Sequence, residues 1–345
     1  MPWWDTQKHA DRRPLLILRR RIKSGLGAWF EAQGFGEVEC GILAASPGNE
    51  AHLHAFLTSR IRTDGTSDTL YLHTSPEFAA KKLLAAGETR IFEFARVFRN
   101  RERSRLHAPE FTMLEWYRAG AAVETVMEDA LAVTRRAAEI AGTKQLIHRG
   151  RGCDPFAEAE RLTVADAFRV YAGIEILDML DDGGRGDRDL FATRAKRAGF
   201  SVTEEDGWSD IFSKILTAAI EPRLGLGRLT LLVDYPRIEA ALARAKKSDP
   251  RLSERFELYA CGVELANGFG ELTDPIEQRR RFETEMAEKQ RIYGERYPLD
   301  EDFLCALAHM PDASGVALGF DRLVMLVAGA PYIDDVLWTP LPADP

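Results

Sequence analysis

The chain is short of cysteine, has no long apolar run and carries no surplus of positive charge. Its four cysteines, Cys40, Cys153, Cys261 and Cys305, lie far apart and form no CxxC pair, so neither a disulfide framework nor a thiolate zinc site organises the fold. No apolar signal segment follows Met1, and reduced thiols in a cytoplasmic protein are expected. No apolar run approaches the roughly 18 residues that a membrane helix requires, so no membrane partner is expected. Lys and Arg total 46 against 54 Asp and Glu, a net charge of −8. An acidic total repels polyanions, and nucleic-acid binding would need a separate basic patch.

What is present is the profile of a soluble globular protein: 345 residues, 45% hydrophobic and 29% charged, enough for one large core or two ordinary ones. One basic run, Arg12, Arg13, Arg19, Arg20, Arg21 and Lys23, is threaded by Leu15, Leu16, Leu18, Ile22, Leu26, Trp29 and Phe30 at mostly helical spacing. It reads as the solvated face of an amphipathic helix or as a partner-docking face. A turn-rich stretch at 45–49 follows, with strands expected at 54–58 and 70–73, and Thr74-Ser75-Pro76-Glu77 opens a short helix with Pro near its start. Residues 90–98 and 111–118 read as a long-looped hairpin and 124–141 as a helix. Residues from about 150 to 250 are less patterned and are expected to be a helical insertion within one domain spanning 1–345. The last third returns to strands at 256–260 and 263–272, a charged helix at 274–291, a strand at 315–320 and a helix from Asp321. Strands and helices do not alternate regularly, so the fold class expected is α+β, an antiparallel sheet flanked by helices.

Three blocks carry chemistry. In the first, strand alternation puts Phe111, Met113, Glu115 and Tyr117 on one face. A carboxylate and a phenol on an otherwise apolar face are costly to bury unless a cation meets them, and a ligand ammonium is the natural candidate; a sheet surface with one solvated acid is the alternative. In the second, a tight hairpin centred on Ala260-Cys261 would set Glu257 opposite Glu264. Facing like charges destabilise a strand pair, which a divalent cation between them would relieve; a different register with both acids in solvent is the other reading. Further along, Asn267, Phe269 and Glu271 alternate onto one face. In the third, Ser314–Leu323 is a glycine-containing strand running into a helix. Arg322 in its first turn could lie on a purine and reach phosphate oxygens, or Asp321 could simply cap the helix.

In sequence order these blocks carry a resemblance. Residues 98–117 resemble motif 2 of class II aminoacyl-tRNA synthetases in its lysine-specific form, 315–323 resembles motif 3, and 262–272 is similar to the substrate-and-metal strand of lysyl-tRNA synthetases. The resemblance covers about 15–329 and fits best the branch that joins lysine or β-lysine to a lysine of elongation factor P. It implies a class II synthetase-like sheet and activation of the amino acid by ATP with Mg²⁺. Attack of the amino-acid carboxylate on the α-phosphate would release pyrophosphate, and the adenylate would pass its acyl group to a protein amine. Arg99 and Arg322 are implied as catalytic, with ATP contacts at Arg99, Arg101, Glu102, His107, Ala108, Phe111, Glu264, Leu265, Gly319 and Arg322. Substrate contacts are implied at Ser75, Pro76, Glu77, Glu115, Tyr117, Asn267, Phe269, Glu271 and Ala317, and metal contacts at Glu257 and Glu264. A homodimer is expected.

Only a helix and a turn-rich stretch precede the catalytic blocks, with no anticodon-binding OB domain expected. That, the acidic charge and Ala317, where lysyl-tRNA synthetases generally have Gly, favour a protein acceptor over tRNA. Two rivals stay open: a truncated lysyl-tRNA synthetase and a non-catalytic pseudo-synthetase that binds lysine or nucleotide. Three departures stand out. Arg101 replaces the family's motif 2 Glu and moves the acid to Glu102, Ala108 stands where Asn is frequent, and Gly41 stands where motif 1 usually has Pro.

Overall fold

The computed structural model describes residues 2–342, which fall into two compact units. The second unit holds Ala122–Leu272 with Ser314–Val316, and the first holds the remainder of the described chain.

The first unit opens with the helix Thr6–Ala32, whose N-cap Asp5 accepts from the amides of Gln7 and Lys8. Its buried face is Arg12, Leu16, Arg19, Ile22, Leu26 and Phe30, a stripe spaced by three and four residues. The basic run is therefore not one solvated or docking face, because two of its arginines point inward. Arg12 donates to the carbonyls of Asp334 and Leu337, and Arg19 to Thr112 and Asp321.

Against this helix packs the hairpin of strands Arg90–Phe98 and Glu110–Ala119, in register from Arg90↔Arg118 to Phe98↔Glu110. Its two faces differ. Phe92 and Trp116 meet Phe30, the two phenyl rings stacked at 4.8 Å. The other face pairs Ile91 with Tyr117, Glu93 with Glu115, Ala95 with Met113 and Val97 with Phe111. Strand Gly36–Glu37 lies parallel to the hairpin's first strand, and a separate three-stranded sheet is built from Leu43–Ala44, Ser67–Leu72 and Phe56–Ile61. The helix Glu77–Ala85 starts directly after Pro76, and Phe320–Ala328 follows Gly319.

In the second unit the strands run in the spatial order Val263–Gly270, Asp249–Ala260, Thr230–Pro236, Glu160–Thr163, antiparallel except for the last pair. The segment without clear pattern contains the helices Val164–Ala172, Arg188–Arg197 and Trp208–Ile215, the last running on as a wider π turn. Phe168, Phe191, Trp208 and Phe212 fill a core of their own there. Among the described residues no helix is long and apolar enough to cross a membrane.

The hairpin of this unit corrects the expected register. The turn is Cys261-Gly262, with Ala260 facing Val263 and both turn residues at positive φ, 57° and 75°. Two successive positive φ values describe the type I′ turn, whose twist matches that of paired strands. Glu264 consequently faces Tyr259, and Glu257 faces Asn267. Between them the register slips, since Leu258 faces Ala266 and Leu265 has no opposite residue. This bulge matters for the site: odd spacing would put Glu264 and Asn267 on opposite faces, and one extra residue returns them to the same one.

Candidate active site

The first unit supplies a carboxylate buried among neutral donors. Glu115, 1% exposed, accepts from the Ser75 hydroxyl at 2.6 Å and from the Tyr117 phenol at 2.8 Å. Burial, and after it the charge of Glu77, pushes the Glu115 carboxyl up to about 8, against the opposing pull of the two hydroxyls. Glu77, the first residue of its helix, accepts from Lys81 one turn on, and its amide donates to Ser75 Oγ at 3.0 Å. Met113, Phe111 and Ala317 pack with Ala95 and Val97 into an apolar patch on the same face. Ser75, Glu77, Glu115 and Tyr117 thus come together, with Ala317 against Phe111's neighbours.

Beside this patch lies a basic group. Arg99 follows directly on the first strand of the hairpin; its Nε donates to Thr74 O at 3.3 Å and its guanidinium lies 5.4 Å from the centre of the Phe111 ring. Arg322, in the first turn after Gly319, donates to the carbonyl of Leu106 and to His107 Nε2 at 2.7 Å. Burial, then the charges of Arg322 and Arg99, hold the His107 pKa down at about 4. The imidazole is therefore neutral at pH 7; Nε2 accepts from Arg322, and Nδ1 carries the proton toward Ser104 Oγ at 2.7 Å, a tautomer assigned from the partners. Ala108 is buried in the same loop.

Arg101 turns away from these groups. It sits at φ 65° and pairs with Glu295, whose other oxygen meets His54 Nδ1 at 3.1 Å. Its guanidinium also lies over Tyr293.

Asp321 does not cap its helix. Fully buried, it accepts from the Thr112 amide at 2.7 Å and from Arg19 at 2.5 Å, while Thr112 Oγ1 takes bonds from Arg19 and Arg96. The residue before Arg322 is thereby tied to the residue after Phe111, a positioning role that the sequence did not disclose because Arg19 is some 300 positions away.

The second unit supplies a carboxylate that already has its cation. Glu257 accepts from Arg255 at 2.7 Å and from the Tyr259 phenol at 2.5 Å. Arg255 also bonds the carbonyl of Glu239 and lies 4.4 Å from the Tyr235 ring. Burial alone would lower the Arg255 pKa, but Glu257 and Tyr235 outweigh it and raise it. On the same face of the hairpin stand Glu264, Asn267 and Phe269, the last opposite Arg255, with Glu271 two residues beyond. Asn267 Oδ1 is buried and has no hydrogen-bond partner among the described residues. Gly268 lets the strands close here, since a Cβ on it would fall 2.4 Å from the Phe256 ring.

These donors suit a hard cation. Each oxygen of Glu257 keeps a lone pair after its one hydrogen bond, and with Glu264 and Asn267 Oδ1 the acceptor atoms named on this face, beside the Arg255 guanidinium, are all oxygen, the ligand chemistry of Mg²⁺. Among the described residues no three His, Cys, Asp or Glu side chains are grouped so as to hold a metal ion.

Residues 2–342 match the family of class II tRNA synthetases for Asp, Lys and Asn. Curated relatives cover nearly the whole chain. An elongation factor P (R)-β-lysine ligase of Haemophilus influenzae is 36% identical over 324 residues, 93% of each chain. One of Vibrio cholerae is 35% identical over 343 residues, 99% of this chain and 98% of its own. One of Salmonella arizonae is 37% identical over 327 residues, 94% of each.

Proposed function

Because the chain belongs to the class II tRNA-synthetase family for Asp, Lys and Asn, we propose that it is an ATP-dependent ligase that activates lysine or (R)-β-lysine as an aminoacyl-adenylate and transfers it to a lysine side chain of elongation factor P. The observation that carries the substrate reading is Glu115, a buried carboxylate with hydroxyl donors and no protein cation bonded to it. Such a group is costly to ionise alone and favourable once an ammonium arrives.

In this reading Glu115, Tyr117 and Glu271 receive the side-chain ammonium. Ser75, Pro76 and Glu77 shape the end that holds the second amine, and Asn267, Phe269 and Ala317 line the pocket. Arg99 leaves Phe111 for the α-phosphate and the substrate carboxylate, so that adenine stacks between Phe111 and Arg322. His107, neutral and accepting from Arg322, orients that guanidinium without adding a charge of its own. Glu102, Ala108, Leu265 and Gly319 border the nucleotide. Mg²⁺, held by Glu257, Glu264 and the oxygen of Asn267, would neutralise phosphate charge. No side-chain nucleophile is needed: placing carboxylate and phosphate together and offsetting the charge that develops supplies the rate.

Residues 2–342 are read as one catalytic domain with a helical insertion at about 150–250. A homodimer in the cytoplasm belongs to the same reading; Leu57 and Ile61, exposed on one face of the strand Phe56–Ile61, are apolar surface that a second copy would cover. The deciding experiment offers labelled lysine or β-lysine, ATP and either elongation factor P or bulk tRNA at physiological salt. Label on the protein is expected. Efficient charging of tRNA with none on the protein would replace this reading by that of a truncated lysyl-tRNA synthetase.

A further inference from the structure

One carboxyl group on the floor of the first unit's cluster is left unused by these roles. Glu93 stands directly opposite Glu115 in the hairpin, on the same face, where opposed side chains have Cβ atoms about 4.5–5.5 Å apart and like charges repel. It is 9% exposed. One oxygen accepts from the Cys40 amide at 3.1 Å, and the other is buried without a hydrogen-bond partner among the described residues. Burial raises the Glu93 carboxyl too, ahead of the charges of Glu39 and Glu37 and against the Cys40 bonds.

Titratable groups of three elements surround the pair. The hairpin supplies Tyr117, the next helix Glu77 and Lys81 with Ser75 before it, and the strand Gly36–Glu37 with the segment after it supplies Glu37, Glu39 and Cys40. Lys81 is the sole cation in this set, and it is bonded to Glu77. Two facing buried carboxylates with only neutral donors cannot both stay ionised.

We infer that Glu93 and Glu115 form a proton-sharing pair that gives up its proton when an ammonium docks, so that recognition of the substrate's side chain is coupled to proton release. In the free protein the pair holds one proton and one negative charge. When R–NH₃⁺ binds, the O–H bond breaks, the proton leaves to solvent, and two carboxylates face the cation. Glu93 acts through Glu115 and is a positioning and specificity residue: an apolar isostere of the side chain has no charge with which to drive the release. This inference rests on the lysine reading above.

Two measurements separate its failure from that reading's. The first needs no ligand: ¹³C-carboxyl NMR of glutamate-labelled protein is expected to show the Glu115 resonance titrating near the value of about 8 given above, and Glu93→Gln is expected to move that midpoint down. A Glu115 midpoint in the ordinary carboxylate range, or one unmoved in a folded Glu93→Gln protein, overturns the pair. The second is calorimetry of lysine, β-lysine and norleucine at pH 7 in buffers of different ionisation enthalpy. The parent is expected to release close to one proton per lysine or β-lysine bound, Glu93→Gln markedly fewer. Equal release by parent and variant, or binding of lysine by the parent with none released, overturns the coupling. If the NMR result stands and no amine binds, the pair survives and the substrate reading falls.

Discussion

Glu115 and Glu257 are alike in the list of their residue type, burial and strand position, and opposite in what they await. Each is buried on a hairpin face and takes a phenol hydrogen bond from the tyrosine two residues on. Glu257 has Arg255 bonded to it, and Glu115 has Ser75 in that place. A carboxylate with its own guanidinium has its charge compensated before any metal arrives and holds the strand together; one with hydroxyl donors alone is compensated only when a cation comes from outside. Counting acids on a face would treat the two alike, and the identity of the second donor tells them apart.

The largest effect should come from breaking the complete pair. Glu257→Ala leaves Arg255 buried without its carboxylate, a loss of about 3–5 kcal/mol of stability, visible as a fall in Tm whether or not substrates are present. Loss of a charge that acts on the triphosphate comes next: Arg322→Ala should keep the fold and lower pyrophosphate exchange by roughly 10²–10³-fold.

Glu115→Gln should do the reverse of Glu257→Ala. It removes a charged hydrogen bond to the ammonium, about 1.5–3 kcal/mol, read as a rise in KM for lysine. Stability should move the other way at alkaline pH. A carboxyl whose folded pKa is raised stabilises the fold fully below its unfolded value near 4.5 and loses that contribution as pH climbs through about 8. The ligand-free parent should therefore lose Tm progressively between about pH 4.5 and about pH 8 relative to Glu115→Gln, and saturating lysine should narrow the gap. Smallest of all is Arg101→Ala. Its pair with Glu295 is solvent-exposed, so the stability change should stay within about 0.2–1 kcal/mol in a urea titration.

Much of this site was legible because it obeys local periods. Alternation alone placed Phe111, Met113, Glu115 and Tyr117 together, and Asn267 with Phe269 and Glu271. Arg99 just past the strand Arg90–Phe98, and Arg322 in the first turn of a helix, followed from reading those segments as strand and helix. What was not legible depends on pairing. The register of Glu257 and Glu264 hinged on where a two-residue turn sits, and the bulge at Leu265 leaves no period in the sequence. Glu93 gains its meaning only from the residue across the ladder. Arg12 and Arg19 looked like solvated charge because helical spacing counts apolar residues, and their partners lie 93 to 325 residues away. Pairing the outer ends of the expected strands, Arg90 with Arg118, would have placed Glu93 opposite Glu115, whereas pairing the inner ends, Phe98 with Phe111, would have placed it opposite Trp116.

The central claim is activation of an amino acid bearing a second ammonium. It is tested most directly by ATP–pyrophosphate exchange with lysine, (R)-β-lysine, norleucine and leucine, on the parent and on Glu115→Gln. The account predicts exchange with lysine or β-lysine, little with the two apolar amino acids, and loss of that preference in the variant. Exchange as fast with leucine as with lysine, or a preference for lysine that survives intact in Glu115→Gln, would contradict it.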